Sequence, residues 1–272
     1  MKKNLFYLLL IFAGVVYFVA TFKEKQAAAA TVECYNEAVT KEPVLTENTD
    51  IVEEQYVQLS EVEEEVVEEE VVEIAPISVD FDSFSECPDV KGWFYLENET
   101  TELSFPLVQG TDNDYYMYHD IYGNSDKNGC IMLDYRTGMN DDYKIIFGHT
   151  ITRTQSMLYD IQFCEAGDTL WIVSADGTAH SYTCFANVES TKQTELMKNG
   201  AFNVSSVQCF MNHVCDLSGQ EYIDSEGLEI ITVATCDRPF AGADGRRLVV
   251  FTRVKWKLGS FLFFLIIRFS IV

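Results

Sequence analysis

Ile230-Ile231-Thr232-Val233-Ala234-Thr235-Cys236 is the stretch on which the fold turns. Six uncharged residues, four of them Ile, Thr or Val at the start, lead into a thiol. A short run of this kind, rich in β-branched side chains, reads as a buried strand. The thiol therefore stands at a strand end. After it comes a turn-rich segment, Asp237 to Gly245, and then Arg246 and Arg247 open another apolar run, Leu248–Phe251.

The same texture extends upstream. Strand candidates are Trp93–Leu96, Phe105–Val108, Cys130–Leu133, Lys144–Phe147, Thr169–Ser174, His180–Val188, Leu228–Ala234 and Arg247–Val254. Turn signals separate them at Glu97-Asn98, Gly110–Asn113, Ala175-Asp176-Gly177 and Ala241–Gly245. Asp-Gly between two short strands is a hairpin signal. Many short strands with tight turns make the fold class mostly β, either a closed barrel or a sandwich. Helical stretches are expected at Phe81–Val90 and within Thr191–Val214, between two strands.

The chain has 272 residues and a net charge of −24, with 43 acidic against 19 basic side chains. That balance excludes a nucleic-acid binder, which needs clustered Lys and Arg against phosphate. A hydrophobic content of 47% excludes a fully disordered chain. The charge is uneven: residues 31–80 alone carry −15, in repeats such as Glu63–Glu73, so they read as a solvated acidic stalk. Ahead of it, Lys2 and Lys3 precede the uncharged run Asn4–Phe22, close to the roughly 20 residues that span a bilayer. This predicts a signal anchor, with a cleaved signal peptide as the alternative because Ala27–Ala30 offer a small-residue site. The expected division is an anchor at 1–30, a stalk at 31–80, a catalytic β-domain at 81–257 and an apolar tail at 258–272. The expected location is the cell membrane, single-pass, with the β-domain outside the cytoplasm.

Among the four histidines, His149 stands out because Ile145-Ile146-Phe147-Gly148 delivers it at a strand end. A rigid strand end is where a reacting group is well held. Cys236 is placed in the same way, and Arg246 and Arg247 begin the next strand. A thiolate can serve as nucleophile, an imidazole can protonate a leaving amine, and a guanidinium can hold an oxyanion. Cys130, Cys164, Cys184 and Cys209 sit among apolar residues and read as small hydrophobes. Cys209, His213 and Cys215 form C-x3-H-x-C, which is not a standard zinc spacing, so neither metal nor cofactor is expected.

From Cys87 to Val254 the chain resembles the class B sortases, membrane-anchored cysteine transpeptidases of Gram-positive bacteria. The resemblance rests on Pro88–Trp93, Phe105–Gly110, Asp112–Tyr116 and Gly129–Arg136. It rests most on Ile146-Phe147-Gly148-His149, Thr232-Val233-Ala234-Thr235-Cys236 and Arg247-Leu248-Val249-Val250. It implies a closed β-barrel of about eight strands, with an N-terminal helix and a helical insertion before the Cys strand. It also implies His149, Cys236 and Arg247 as the catalytic trio. Arg247 is preferred to Arg246 because it directly precedes the apolar run. Asn113, Phe147 and Asp237 fall where the family lines its substrate groove. Phe147 stands where Tyr is usual, Thr150 where Asn or His is commoner, and Ala234 where Ser is common. Thr191–Gly227 matches the family's helical insertion poorly.

The implied reaction is two acyl transfers. Cys236 attacks a backbone carbonyl in the C-terminal sorting signal of a secreted protein and forms a thioacyl-enzyme. An amine of a cell-wall precursor or a pilin then takes the acyl group. The competing reading is a membrane-tethered β-domain that binds cell-wall or protein ligands without catalysis.

Overall fold

The structure, a computed structural model, describes Tyr17 and residues 39–41, 73–191 and 204–255. Two short strands, β1 (Val39–Thr40) and β2 (Ser78–Val79), pair antiparallel outside the main sheet. The main sheet consists of β3 (Val90–Glu97), β4 (Glu102–Val108), β5 (Ile131–Leu133), β6 (Tyr143–Phe147), β9 (Thr169–Ser174), β10 (Ala179–Thr191), β11 (Leu228–Cys236) and β12 (Gly245–Val254). It closes as a barrel in the order β10-β12-β11-β6-β5-β4-β3-β9. Each of these eight strands overlaps one of the eight read from the sequence. A small hairpin, β7 (Thr150–Ile151) with β8 (Ser156–Met157), stands apart from the barrel.

Period-two alternation sorts the barrel side chains into two layers. On β11 and β12, Ile231, Val233, Val249 and Phe251 point into the lumen, where they join Trp93, Leu107, Ile131 and Ile146. Their alternates, Ile230, Ala234, Leu248 and Val250, point outward and meet Val207, Phe210, Met211 and Val214 of helix α1 (Val204–Ser218). That second layer explains why the β11 sequence has no polar face: helix α1 covers the side that would otherwise meet solvent. Each fully buried Ile, Leu or Phe contributes about 1.5–3 kcal/mol.

The Ala175-Asp176-Gly177 turn forms as expected between β9 and β10. Gly177 takes φ +88°, and Ser174 N–H donates to the Thr178 carbonyl at 2.7 Å. The expected entry helix is shorter than its sequence suggests. It is a four-residue 3-10 turn, Phe81–Phe84, and Val90 already belongs to β3. Pairing of Val90 with Val108 draws the second half of the segment into the sheet. The helical insertion is α1, while the start of the expected stretch, Thr191, is the last residue of β10.

Residues ahead of position 81 also pack on the barrel. Ala75 and Ile77 are buried in the core, and the Glu73 carboxylate accepts from Ser181 N–H at 2.7 Å. The single-pass membrane placement is corrected as well. Among the described residues no helix is long and apolar enough to cross a membrane, and α1 has only 15 residues against the roughly 20 required. The run Asn4–Phe22, apart from Tyr17, and the apolar tail at 258–272 lie outside the described residues.

Candidate active site

Strands β6 and β11 run parallel, with Val233 beside Ile146 and Ala234 beside Phe147. Two residues past each of these last partners stand His149 and Cys236. The parallel register thus sets an imidazole and a thiol at the same level, on neighbouring strand ends. The Thr235 hydroxyl ties the two ends together by donating to the Gly148 carbonyl at 2.7 Å, and it lies 2.7 Å from the Thr150 hydroxyl. Gly148 lets two buried side chains close over this strand end. A Cβ at that position would meet Ile131 Cδ1 at 2.7 Å and Leu158 Cδ1 at 2.8 Å.

From Cys236 the chain enters a tight loop. Asp237 caps the one-turn helix α2 (Arg238–Ala241) by accepting from Phe240 N–H at 3.3 Å. Asp237 N–H donates to the Gly245 carbonyl at 3.0 Å, which returns the chain into β12. Antiparallel pairing then sets Thr235 opposite Arg247 and Cys236 opposite Arg246. Arg247 is held by three acceptors: Asp237 Oδ2 at 2.6 Å and Glu189 Oε1 at 2.9 Å on Nη2, and Asn187 Oδ1 at 3.1 Å on Nη1. Arg246 instead donates to the carbonyls of Ala243 and Gly245 in its own loop.

A cleft of about 150 Å³ opens at this end of the barrel. Cys236, Asp237, Arg247 and Thr235 line it with Pro239; Thr150, Thr152, Leu158, Tyr159, Ile161 and Gln162 complete it. Cys236 and Arg247 therefore face one space, whereas Arg246 does not line it. His149 does not line this space, although its neighbour Thr150 does. Its Nε2–H donates to the Met117 carbonyl at 2.9 Å, and the Tyr118 ring lies 6.1 Å from the imidazole. Among the described residues no hydrogen bond joins the Cys236 thiol to either His149 or Arg247. The other groove candidates are placed differently. Asn113 Oδ1 accepts from Tyr135 N–H at 3.0 Å, in the turn after β5, and Phe147 packs against both apolar layers. Neither lines the cleft.

The thiols also differ in environment. Cys236 is half-buried on the cleft. Burial, with Asp120 and Asp126 nearby, pushes the Cys130 thiol up to about 12. The Cys184 thiol beside it, and then burial, raise Cys164 well above its ordinary value. These thiols stay protonated at neutral pH and are poor nucleophiles.

A Sortase domain family model matches residues 99–255, from the turn before β4 through β12. The chain belongs to the sortase family. Over 179 residues it is 28% identical to Sortase B of Listeria monocytogenes, covering 59% of this chain and 68% of that one. Sortase B of Clostridium perfringens superposes with a TM-score of 0.55 at 21% identity, over 64% of this chain and 98% of that chain. Sortase B of Staphylococcus aureus gives 0.54 at 19% identity, over 65% and 87%. These likenesses carry the closed barrel. Family membership implies cysteine transpeptidase chemistry, and a sortase needs a reactive thiol. Sequence reading missed Asn187, Glu189 and the β7–β8 side of the cleft. No charge pattern or spacing flags them, because they reach the site only through strand pairing and loop packing.

Proposed function

We propose that the chain is a sortase of the class B type, with Cys236 as nucleophile, His149 as proton donor and acceptor, and Arg247 as oxyanion donor. The observation that carries this reading is that Cys236 and Arg247 line one cleft while the β6–β11 register sets His149 alongside. The similarity to Sortase B of Listeria monocytogenes supports the class.

In this reading the Cys236 thiolate attacks a peptide carbonyl carbon in a sorting signal. The oxygen gains negative charge, and Arg247 donates to it. Two acceptors occupy Nη2 and one occupies Nη1, so Nε–H and a second Nη1–H are left for the oxyanion. The C–N bond breaks, and the leaving amine takes a proton from the His149 imidazolium. Nε2 is committed to Met117, so Nδ1 is the nitrogen that releases it. An acceptor amine then attacks the thioester, returns a proton to His149 and frees the thiolate. The substrates are secreted proteins with a C-terminal sorting signal, and the acceptor is an amine of a cell-wall precursor or a pilin. One solved relative, Staphylococcus aureus sortase B, is described as a substrate complex. Asp237 acts by holding Arg247. The catalytic unit spans about 73–255, since Glu73, Ala75 and Ile77 pack into the barrel.

The test is incubation of the full chain with a library of sorting-type peptides, with and without an amine. The expected result is a thioacyl adduct on Cys236 by intact mass and faster release of the C-terminal fragment when amine is present. Cleavage with no amine dependence would make it a hydrolase. A folded chain that labels at Cys236 yet forms no adduct with any peptide would sink the proposal.

A further inference from the structure

Asn187 lies on β10, half-buried, opposite Val249 of β12 and facing the lumen end below the cleft. Its amide makes two kinds of contact at once. On one side Oδ1 accepts from Arg247 Nη1 at 3.1 Å. On the other side Nδ2 donates toward three backbone carbonyls: Ile161 and Gln162 at 3.2 Å each, and Cys164 at 2.8 Å. The amide orientation is fixed by chemistry. A guanidinium can only donate and carbonyls can only accept, so the reverse orientation would leave both sides unbonded.

The three carbonyls belong to the 3-10 turn Asp160–Phe163 and the Cys164 that follows it. Ile161 and Gln162 of that turn line the cleft opposite Cys236. A lone turn on a loop has no sheet ladder to hold it. Here Asn187 supplies three of its anchoring contacts, and Ile161 is buried beneath it. The same side chain completes the set of acceptors that orients Arg247. Glu189 and Asp237 both hold Nη2, so Asn187 is the acceptor that holds Nη1. Without it the guanidinium could swing about its bonds to those two carboxylates.

We propose that Asn187 is a positioning residue that couples the orientation of Arg247 to the position of the Ile161–Cys164 wall of the substrate cleft. It rests on the transpeptidase reading above. A substrate that presses on the Ile161–Gln162 wall bears, through one amide, on the donor that meets the oxyanion. The two halves of the coupling are chemically separable. Asn187→Asp keeps an acceptor for Arg247 but can no longer donate to the carbonyls. Asn187→Ala removes both.

The experiment is steady-state kinetics of the full chain with a sorting-type peptide and an amine, beside a readout that needs no turnover. Asn187→Asp should raise KM about threefold or more with kcat within about twofold, because only the wall is loosened. Asn187→Ala should also lower kcat, by about tenfold or more, because Arg247 is misoriented. The Arg247 Nε–H resonance, assigned with Arg247→Lys, should shift or broaden in Asn187→Ala and stay near its wild-type position in Asn187→Asp. The rate of Cys236 alkylation should be unchanged in both variants. Equal kinetic effects in the two variants, or a wild-type Arg247 resonance in Asn187→Ala, overturn the coupling. If both variants fail to fold, Asn187 is a structural residue and the proposal is wrong. A wild-type chain without amine-stimulated cleavage refutes the transpeptidase reading, and the resonance shift then still decides whether Asn187 holds Arg247.

Discussion

Two arginines on β12, Arg247 and Arg253, face the two opposite ends of the same lumen, and their surroundings differ. Arg247 sits between Asp237 and Glu189, both supplied by the barrel and its connecting loop. Arg253 sits between Glu229 at 2.8 Å and Glu73 at 3.7 Å, and Glu73 comes from the segment before the first barrel strand. At the Arg253 end Glu229 also accepts from the Tyr182 hydroxyl at 2.8 Å and pairs with the buried Lys144 at 3.5 Å. At the Arg247 end the space is left open, and a thiol borders it.

The difference teaches how one motif serves two purposes. The two arginine side chains are about equally shielded, 18% and 17% exposed, so what differs is the company: a cleft with a thiol beside Arg247, and carboxylates, a phenol and an ammonium group around Arg253. The Arg253 end draws on a residue from outside the barrel, Glu73. His180 Nδ1 and Arg253 Nε are buried without hydrogen-bond partners among the described residues, and both lie within 4 Å of the Glu73 carboxylate.

The largest expected effect comes from Cys236→Ala. Thioacyl formation should fall to background while the thermal midpoint stays near that of the parent chain. Intact mass and a melting curve check the two halves, and residual adduct would move the nucleophile elsewhere. Next, the two arginines should dissociate. Arg247→Ala should lower kcat/KM by roughly a hundredfold or more. Arg253→Ala should leave kcat/KM of the folded fraction unchanged but cost about 2–3 kcal/mol, because it strands two half-buried carboxylates. Urea unfolding beside peptide kinetics decides this, and an activity loss in Arg253→Ala would break the contrast.

Acid sharpens the comparison further. Burial alone would raise the Glu229 carboxyl, but Tyr182, Lys144 and Arg253 outweigh it and hold it below its ordinary 4.5. A carboxyl depressed in the folded state stabilises above its unfolded value, and that stability is lost as pH falls toward the folded one. Glu229→Gln should therefore flatten the decline in urea midpoint below about pH 4.5, leaving Cys236 alkylation untouched. An unchanged acid slope would remove Glu229 from the account. The smallest effect expected is for Glu73→Gln, about 1–2 kcal/mol, from a weakened hydrogen bond at Ser181 N–H and lost charge toward Arg253. A loss of peptide turnover in that variant would mean the two ends communicate.

Much of the barrel was legible before any coordinates. The eight staves announce themselves by β-branched runs and turns, and the Ala175-Asp176-Gly177 hairpin forms where expected. Asp237 was read by resemblance as a groove residue; it borders the cleft beside Cys236, and its hydrogen bond to Arg247 was invisible in the chain. The β7–β8 hairpin was missed because its turn carries no Gly: Gln155 there adopts φ +53°, and Met157 of β8 itself adopts φ +56°. Phe147 was read as a groove residue by resemblance, standing where Tyr is usual. In the structure it is half-buried and packs against both apolar layers.

By itself, the sequence determined which segments are strands and which reactive residues end them, because side-chain period and turn chemistry act over a few neighbouring residues. Only the tertiary structure decided which strands lie side by side. The parallel pairing of β11 with β6 sets Cys236 level with His149, and the pairing of β10 with β12 carries Asn187 and Glu189 to Arg247. A period of two tells which face a side chain occupies but not which strand will be its neighbour. That choice follows from closing the whole sheet around one lumen and laying helix α1 over its outer face.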